Sequence, residues 1–313
     1  MTGCASFTPL THEGVLAVRG VDAKTFLQGL TTCNLAYVSD ERSSLGARCT
    51  PKGRMLSSFR VLLESDGYLL AMDSDILVEQ LAELQKFAVF SKSKLTDDSA
   101  QWSRFGLYKA DEALTALGIE LPSEVNSTVH HNQMIAIRVS AELTELWVAA
   151  DEGPCLRKRL LNLLAEAPLN VWQLGMIRSG IGHVTMPIRE QFIPQMLNLP
   201  ALDAVSFKKG CYTGQEIVAR MQYLGKLKRH MYRFQLATSD IPEVGTALLS
   251  PVHSSAVGEV VSAAQSEYGV ELLATALDEA VGDGRIHLDG NEKVLLEKLE
   301  LPYLLDTERE ILR

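Results

Sequence analysis

Apolar positions along the chain change their period several times, and each change marks an element. Val15 to Val18 form a short strand-like run, and Asp22 stands at an N-cap position ahead of Phe26, Leu27 and Leu30 at helical spacing. From Asn34 to Asp73 the pattern reads as a meander of strands, with turns at Pro51-Lys52-Gly53 and Ser65-Asp66-Gly67. Ile76, Leu77, Gln80, Leu81, Leu84, Phe87 and Ala88 then recur at helical spacing and predict an amphipathic helix.

Between Arg104 and about Ala165, strand-like runs at Phe105 to Tyr108, Met134 to Val139 and Leu146 to Ala149 alternate with helical runs near Glu112 to Leu117 and Leu156 to Leu164, a pattern of α+β type. A helix near Val171 to Ser179 leads into an irregular stretch from Gly180 to Pro200. Beyond Met231, short β-like runs with turns at Gly245, Gly258, Gly282 and Gly290 predict a small β barrel or sandwich. No fixed-period repeat or low-complexity linker interrupts the chain.

Composition narrows the class. With 313 residues, 46% of them apolar and 22% charged, the chain can bury a sizeable core and is expected to divide into two or three domains. No run approaches the roughly 18 apolar residues of a membrane span, and Met1 to Pro9 lacks signal-peptide features, so a cytoplasmic protein without membrane partners is expected. Five widely spaced cysteines without a CxxC pair suggest neither a disulfide framework nor a zinc site. A net charge of −9 disfavours stable direct binding to nucleic acid. The densest basic run, Lys226, Lys228, Arg229, His230 and Arg233, reads first as a solvated face.

The segment Phe207 to Gly225, FKKGCYTGQEIVARMQYLG, carries the candidate chemistry. Thr213 and Glu216 have capping-box spacing, Ile217, Val218, Met221 and Leu224 form an apolar stripe, and Gly225 is placed to end the helix. Cys211 therefore precedes a helix N-terminus, after Lys208 and Lys209 and between Gly210 and Gly214. A thiol in such surroundings is a candidate nucleophile, redox centre or metal ligand, although an inert cysteine is equally compatible with the residues alone.

KKGCYTGQE followed by IVAR, with FIPQMLNL (Phe192 to Leu199) before it, resembles the signature of the YgfZ-type proteins, relatives of the glycine-cleavage T-protein. GVDAKTFLQGLTT (Gly20 to Thr32), TPKGR (Thr50 to Arg54), KFAVFSK (Lys86 to Lys92) and the helix around Trp172 add to the likeness, which covers most of residues 14 to 233. The resemblance implies an α+β, T-protein-like fold in three domains: a discontinuous folate-binding-type domain over 1–50 and 171–232, an inserted α+β domain over 51–170, and a C-terminal β-barrel domain over 233–313. It also implies tetrahydrofolate or a derivative as cofactor, and a role in assembling or repairing iron–sulfur enzymes, including a tRNA-methylthiolating one, with Cys211 as the reactive thiol.

The residues expected against the folate are Trp172, by stacking, Arg178, toward the anionic tail, and Lys208, Lys209, Gly210, Tyr212, Gly214, Gln215 and Glu216 from the loop. The likeness departs at two places. Arg178-Ser179-Gly180 stands where relatives carry Glu-Ala-Gly, and Glu13 stands where an aromatic is expected. Two other functions compete. A folate-dependent one-carbon transferase needs an acidic residue where Ser57 and Ser58 stand, and a Cys-dependent hydrolase needs a histidine within reach of Cys211.

Overall fold

The computed structural model describes residues 3–305. In chain order the first half comprises β1 (Ser6–Pro9), β2 (Glu13–Arg19), α1 (Ala23–Gln28), β3 (Ser44–Cys49), β4 (Met55–Glu64), β5 (Gly67–Asp73), α2 (Ser74–Ala88) and β6 (Lys94–Asp97). β2 to β6 make a five-stranded sheet in the order β3-β4-β5-β2-β6. Its interior strand β2 is apolar at successive positions because both faces are covered: Val15 and Ala17 lie in one buried cluster, Leu16 and Val18 in another. α2 packs through Ile76, Leu77, Gln80 and Leu84, and the Asp73 carboxylate caps it by accepting from the N–H groups of Asp75 and Ile76.

Next come β7 (Trp102–Tyr108), α3 (Asp111–Ala116), β8 (Thr128–His131), β9 (Met134–Arg138), β10 (Leu143–Ala149), α4 (Gly153–Leu161) and β11 (Ala165–Glu166). The six-stranded sheet they form, β11-β1-β7-β10-β9-β8, recruits β1 from the start of the chain. The division expected at residue 50 falls inside a hairpin. β3 and β4 are antiparallel partners, with Ala47 opposite Ser58, so β4, β5, α2 and β6 sit in the sheet of β2 and β3. A tight turn at Thr50–Arg54 makes those neighbours in space as well as in sequence.

α5 (Leu169–Arg178), a series of short 3-10 turns and α6 (Gln215–Tyr223) connect to a last unit: β12 (Arg229–Leu236), β13 (Ala247–Leu249), β14 (Gly258–Ser266), β15 (Gly269–Leu277), α7 (Asp278–Asp283), β16 (His287–Leu288), β17 (Asn291–Leu295) and β18 (Glu297–Leu299). Its strands form a curled seven-stranded sheet of half-barrel type, β17-β16-β13-β14-β15-β12-β18. α5 is shared between the last two sheets. Trp172 packs on Gly106 of β7, while the Asn170 side chain exchanges two hydrogen bonds with the Gln265 backbone of β14, at 2.9 and 2.8 Å.

The first two sheets meet through Val15, Ala17, Leu62, Leu69, Ala71, Ile135, Ile137 and Trp147, with a buried ionic network beside them. Arg104 Nη2 donates to Glu13 at 2.7 Å and to Glu145 at 2.8 Å, its guanidinium lies 4.3 Å from the Trp147 ring centre, and Trp147 Nε1 donates to Glu145 at 2.8 Å. Glu13, which stands where an aromatic was expected, is thus a partner of Arg104. Burial is the largest influence and works against its charge, but Arg104, by charge and hydrogen bond, together with His183 and His12 outweighs it and holds the carboxyl down to about 2.

Candidate functional site

The segment before α6 is held in place by the other motifs that carry the family likeness. Ser206 N–H donates to Thr32 O at 2.9 Å and Thr213 N–H to Gly29 O at 3.1 Å, both in the GLTT run. Gln195, from the FIPQMLNL turn, donates through Nε2 to Val218 O at 2.7 Å. The N-cap of α6 is Gly214, at φ 87°, and no side chain caps the helix, so the expected Thr213–Glu216 box does not form. A Cβ at Gly214 would stand 2.5 Å from Thr50 O and 3.2 Å from Cys49 Cβ. The close approach to the TPKGR hairpin therefore fixes both the residue and the turn.

Lys209 is the anchor of this loop. Its Nζ donates to Thr31 O and Cys33 O, each at 2.7 Å, and lies 5.1 Å from the Tyr212 ring centre. Burial lowers its ammonium to about 8, which leaves it charged at neutral pH. Lys209 was expected to support the Cys211 thiolate, but its ammonium is turned to these two carbonyls, because a buried cation takes the nearest acceptors. Tyr212 is buried behind it, its hydroxyl without a partner among the described residues and its pKa pushed up by burial and then by Cys49.

Cys211 lies between these two buried side chains and faces outward. The tip around Gly210 is open, with nothing within 4 Å of where a Cβ would stand. Burial raises the thiols of Cys33 and Cys49, the latter to about 12, so those two are poor nucleophiles. No histidine is bonded to Cys211 among the described residues. His183 lies 3.5 Å from Ser58 Oγ and His230 bonds Asp278 at 2.8 Å. Gln215 and Glu216 occupy the first turn of α6, with Glu216 exposed.

A cavity of about 1030 Å³ opens where the three sheet units meet. Tyr37 and Arg42 reach it from the first unit, Asn126 from the second and His230 from the third, with Asp203, Phe207, Lys208, Tyr223 and Lys226 from the connecting segment. Phe207 and Tyr223 stack edge to face at 5.7 Å. Arg42 is paired with Glu124 and His230 with Asp278, whereas Lys208 and Lys226 make no ion pair among the described residues. Of the site residues expected from the sequence, Lys208 lines this cavity and the others do not.

Trp172 is 3% exposed and its ring fills the space above Gly106, where a Cβ would come within 2.3 Å, so no free face is left for a ligand. Arg178 donates through Nε and Nη2 to Glu271, a carboxylate that Arg233 also holds at 2.7 Å. A buried carboxylate binds the available guanidinium groups in preference to leaving them for a ligand. The cavity residues Tyr37 and Asp203 carried no signal in the sequence. Lys226 belonged to the basic run, and Phe207 opened the loop motif.

No family model matches the chain. Curated relatives do. The chain is 33% identical over 314 residues to the tRNA-modifying protein YgfZ of Aliivibrio fischeri, covering 97% of this chain and 94% of that protein. It is 32% identical to the protein of that name from Sodalis glossinidius, over 96% and 95% of the two chains. The corresponding Escherichia coli protein is 30% identical, over 95% and 93%. Among known structures, the glycine cleavage system aminomethyltransferase T of Bartonella henselae superimposes with a TM-score of 0.70 at 14% identity, over 95% of this chain and 85% of that one. That likeness establishes the T-protein-like fold. Together with near full-length identity at this level, it places the chain in the YgfZ family of tRNA-modifying proteins.

Proposed function

We propose that the protein is a folate-binding accessory factor for assembly or repair of iron–sulfur enzymes, among them tRNA-modifying ones, acting through the thiol of Cys211. One observation carries this reading: the segment that presents Cys211 to solvent also lines, through Phe207 and Lys208, the cavity between the three units. A folate has a flat aromatic head and an anionic glutamate tail. Tyr37, Phe207 and Tyr223 suit the first, and Lys208 and Lys226, which have no ion-pair partner among the described residues, suit the second. The volume of about 1030 Å³ lies at the upper limit for small-molecule and cofactor sites, about 1,000 Å³. When bound, a reduced folate supplies a pterin ring that can carry one-carbon units. The chain's own contribution is to stack that ring, neutralise the tail and hold the Cys211 loop through Lys209.

A single thiolate cannot hold a cluster alone, so Cys211 acts against a client protein that supplies the remaining ligands. The expected one-carbon transferase alternative is less well supported. Ser57 Oγ is 3.2 Å from Gln80 Oε1, and Ser58 Oγ accepts from Val184 N–H at 2.8 Å, so both are committed within the core and neither stands in the cavity.

Replacing Cys211 with serine should leave folding and folate binding unchanged. It should also abolish restoration of methylthiolated tRNA when the gene is supplied to a bacterial host lacking its own family member. Full restoration by C211S would remove the thiol from the account.

A further inference from the structure

Asp203 is the one carboxylate among the residues lining the cavity, and it makes no side-chain hydrogen bond or ion pair among the described residues. It follows the 3-10 turn Leu199–Leu202 in a left-handed conformation, φ 55°. Its backbone is fixed there: Asp203 N–H donates to Pro200 O at 3.3 Å and Ala204 N–H to Leu199 O at 3.0 Å, with Ala204 and Val205 buried behind. An aspartate tolerates this conformation better than most residues, and here it puts an anionic acceptor, unpaired among the described residues, on a wall that also carries cations, aromatic rings and the neutral amides of Asn126 and Gln195. Arg178, by contrast, is committed to Glu271 and is not among the residues lining the cavity.

We infer that Asp203 is the specificity-determining carboxylate for a pterin head in this cavity, with Lys208 and Lys226 receiving the anionic tail. The inference rests on the folate reading above and adds the orientation of the ligand. The amino-pyrimidine edge of a pterin presents an exocyclic amino N–H and a ring N–H side by side, two donors that match the two oxygens of one carboxylate. A neutral amide at the same place offers one acceptor and places an N–H donor against the ligand's own.

The test uses the full chain and three probes in calorimetric titrations: tetrahydrofolate, 6-methyltetrahydropterin (head alone) and p-aminobenzoylglutamate (tail alone). Asp203→Asn keeps a residue that also favours the left-handed conformation, so folding is preserved. It should weaken tetrahydrofolate and the head probe by roughly 10- to 100-fold, the range for losing a hydrogen bond to a charged group. The tail probe should be unaffected. Lys226→Gln should do the reverse, weakening tetrahydrofolate and the tail probe alone. Unchanged head binding by D203N, or equal loss of both fragments, overturns the assignment while leaving the folate site standing. Failure of the unsubstituted protein to bind any of the three probes overturns the folate reading and this inference with it.

Discussion

Replacing Arg104 with methionine should destabilise the protein by about 3–5 kcal/mol, the cost of removing one partner from a buried ionic network. Arg104 is 5% exposed and is the link between Glu13 of the first sheet and Glu145 of the second. Without it, Glu13 keeps no ionic partner among the described residues nearer than His12 at 3.8 Å, and Glu145 keeps the Trp147 N–H at 2.8 Å but no cation nearer than Arg60 at 3.8 Å. The pH dependence should change sense as well. In the unsubstituted protein the folded Glu13 carboxyl lies at about 2, below its ordinary 4.5, so its stabilising contribution is complete above about pH 4.5 and is lost as pH falls from there toward 2. In the variant, burial without a guanidinium raises that carboxyl, and acidification from pH 7 toward 4 should narrow the gap to the unsubstituted protein. Urea unfolding at pH 7 and at pH 4 measures both effects. Equal stability of the two proteins at pH 7 would mean that the network contributes nothing to joining the sheets.

Trp172→Ala should cost a similar amount, about 3–5 kcal/mol, as is usual for removing a large buried aromatic. The hole would be unusually hard to close, because the ring rests on Gly106, which has no side chain to move into the space. Trp172→Phe should cost distinctly less and should bind tetrahydrofolate as tightly as the unsubstituted protein, since the ring lies outside the cavity. Paired unfolding and titration experiments on the two variants separate packing from ligand contact. A tenfold or greater loss of folate affinity in a well-folded W172F would return Trp172 to the binding site.

These expectations show where the sequence was legible. The elements with strong periodicity are where the apolar spacing puts them: α2, whose inward positions Ile76, Leu77, Gln80 and Leu84 lie at helical intervals, and the hairpins turning at Pro51–Gly53 and Ser65–Gly67. Non-local pairings were not legible. Nothing in Ser6–Pro9 says that it joins β7 and β11 about a hundred or more residues away. The helix after Cys211 was readable from its apolar stripe, but its cap was not. The Thr213–Glu216 spacing suits a side-chain cap, while the near contact between Gly214 and Thr50 O demands a glycine in the left-handed region instead.

The candidate site divides along the same line. Cys211 and Lys208 stand out by local chemistry, and the fold puts one in solvent and the other in the cavity. The directions of Lys209 and Arg178 depend on which buried acceptor lies nearest, a fact of tertiary structure that charge spacing does not contain. Tyr37, Asp203 and Tyr223 come from three separate segments and meet only at the junction of the units.

The most direct test of the account is a calorimetric titration of the purified chain with tetrahydrofolate. The account predicts saturable one-to-one binding at micromolar concentrations, weakened when Lys208 is replaced by glutamine. Absence of binding up to millimolar tetrahydrofolate would contradict it, removing the cofactor and leaving Cys211 on a loop whose neighbouring cavity serves some other ligand.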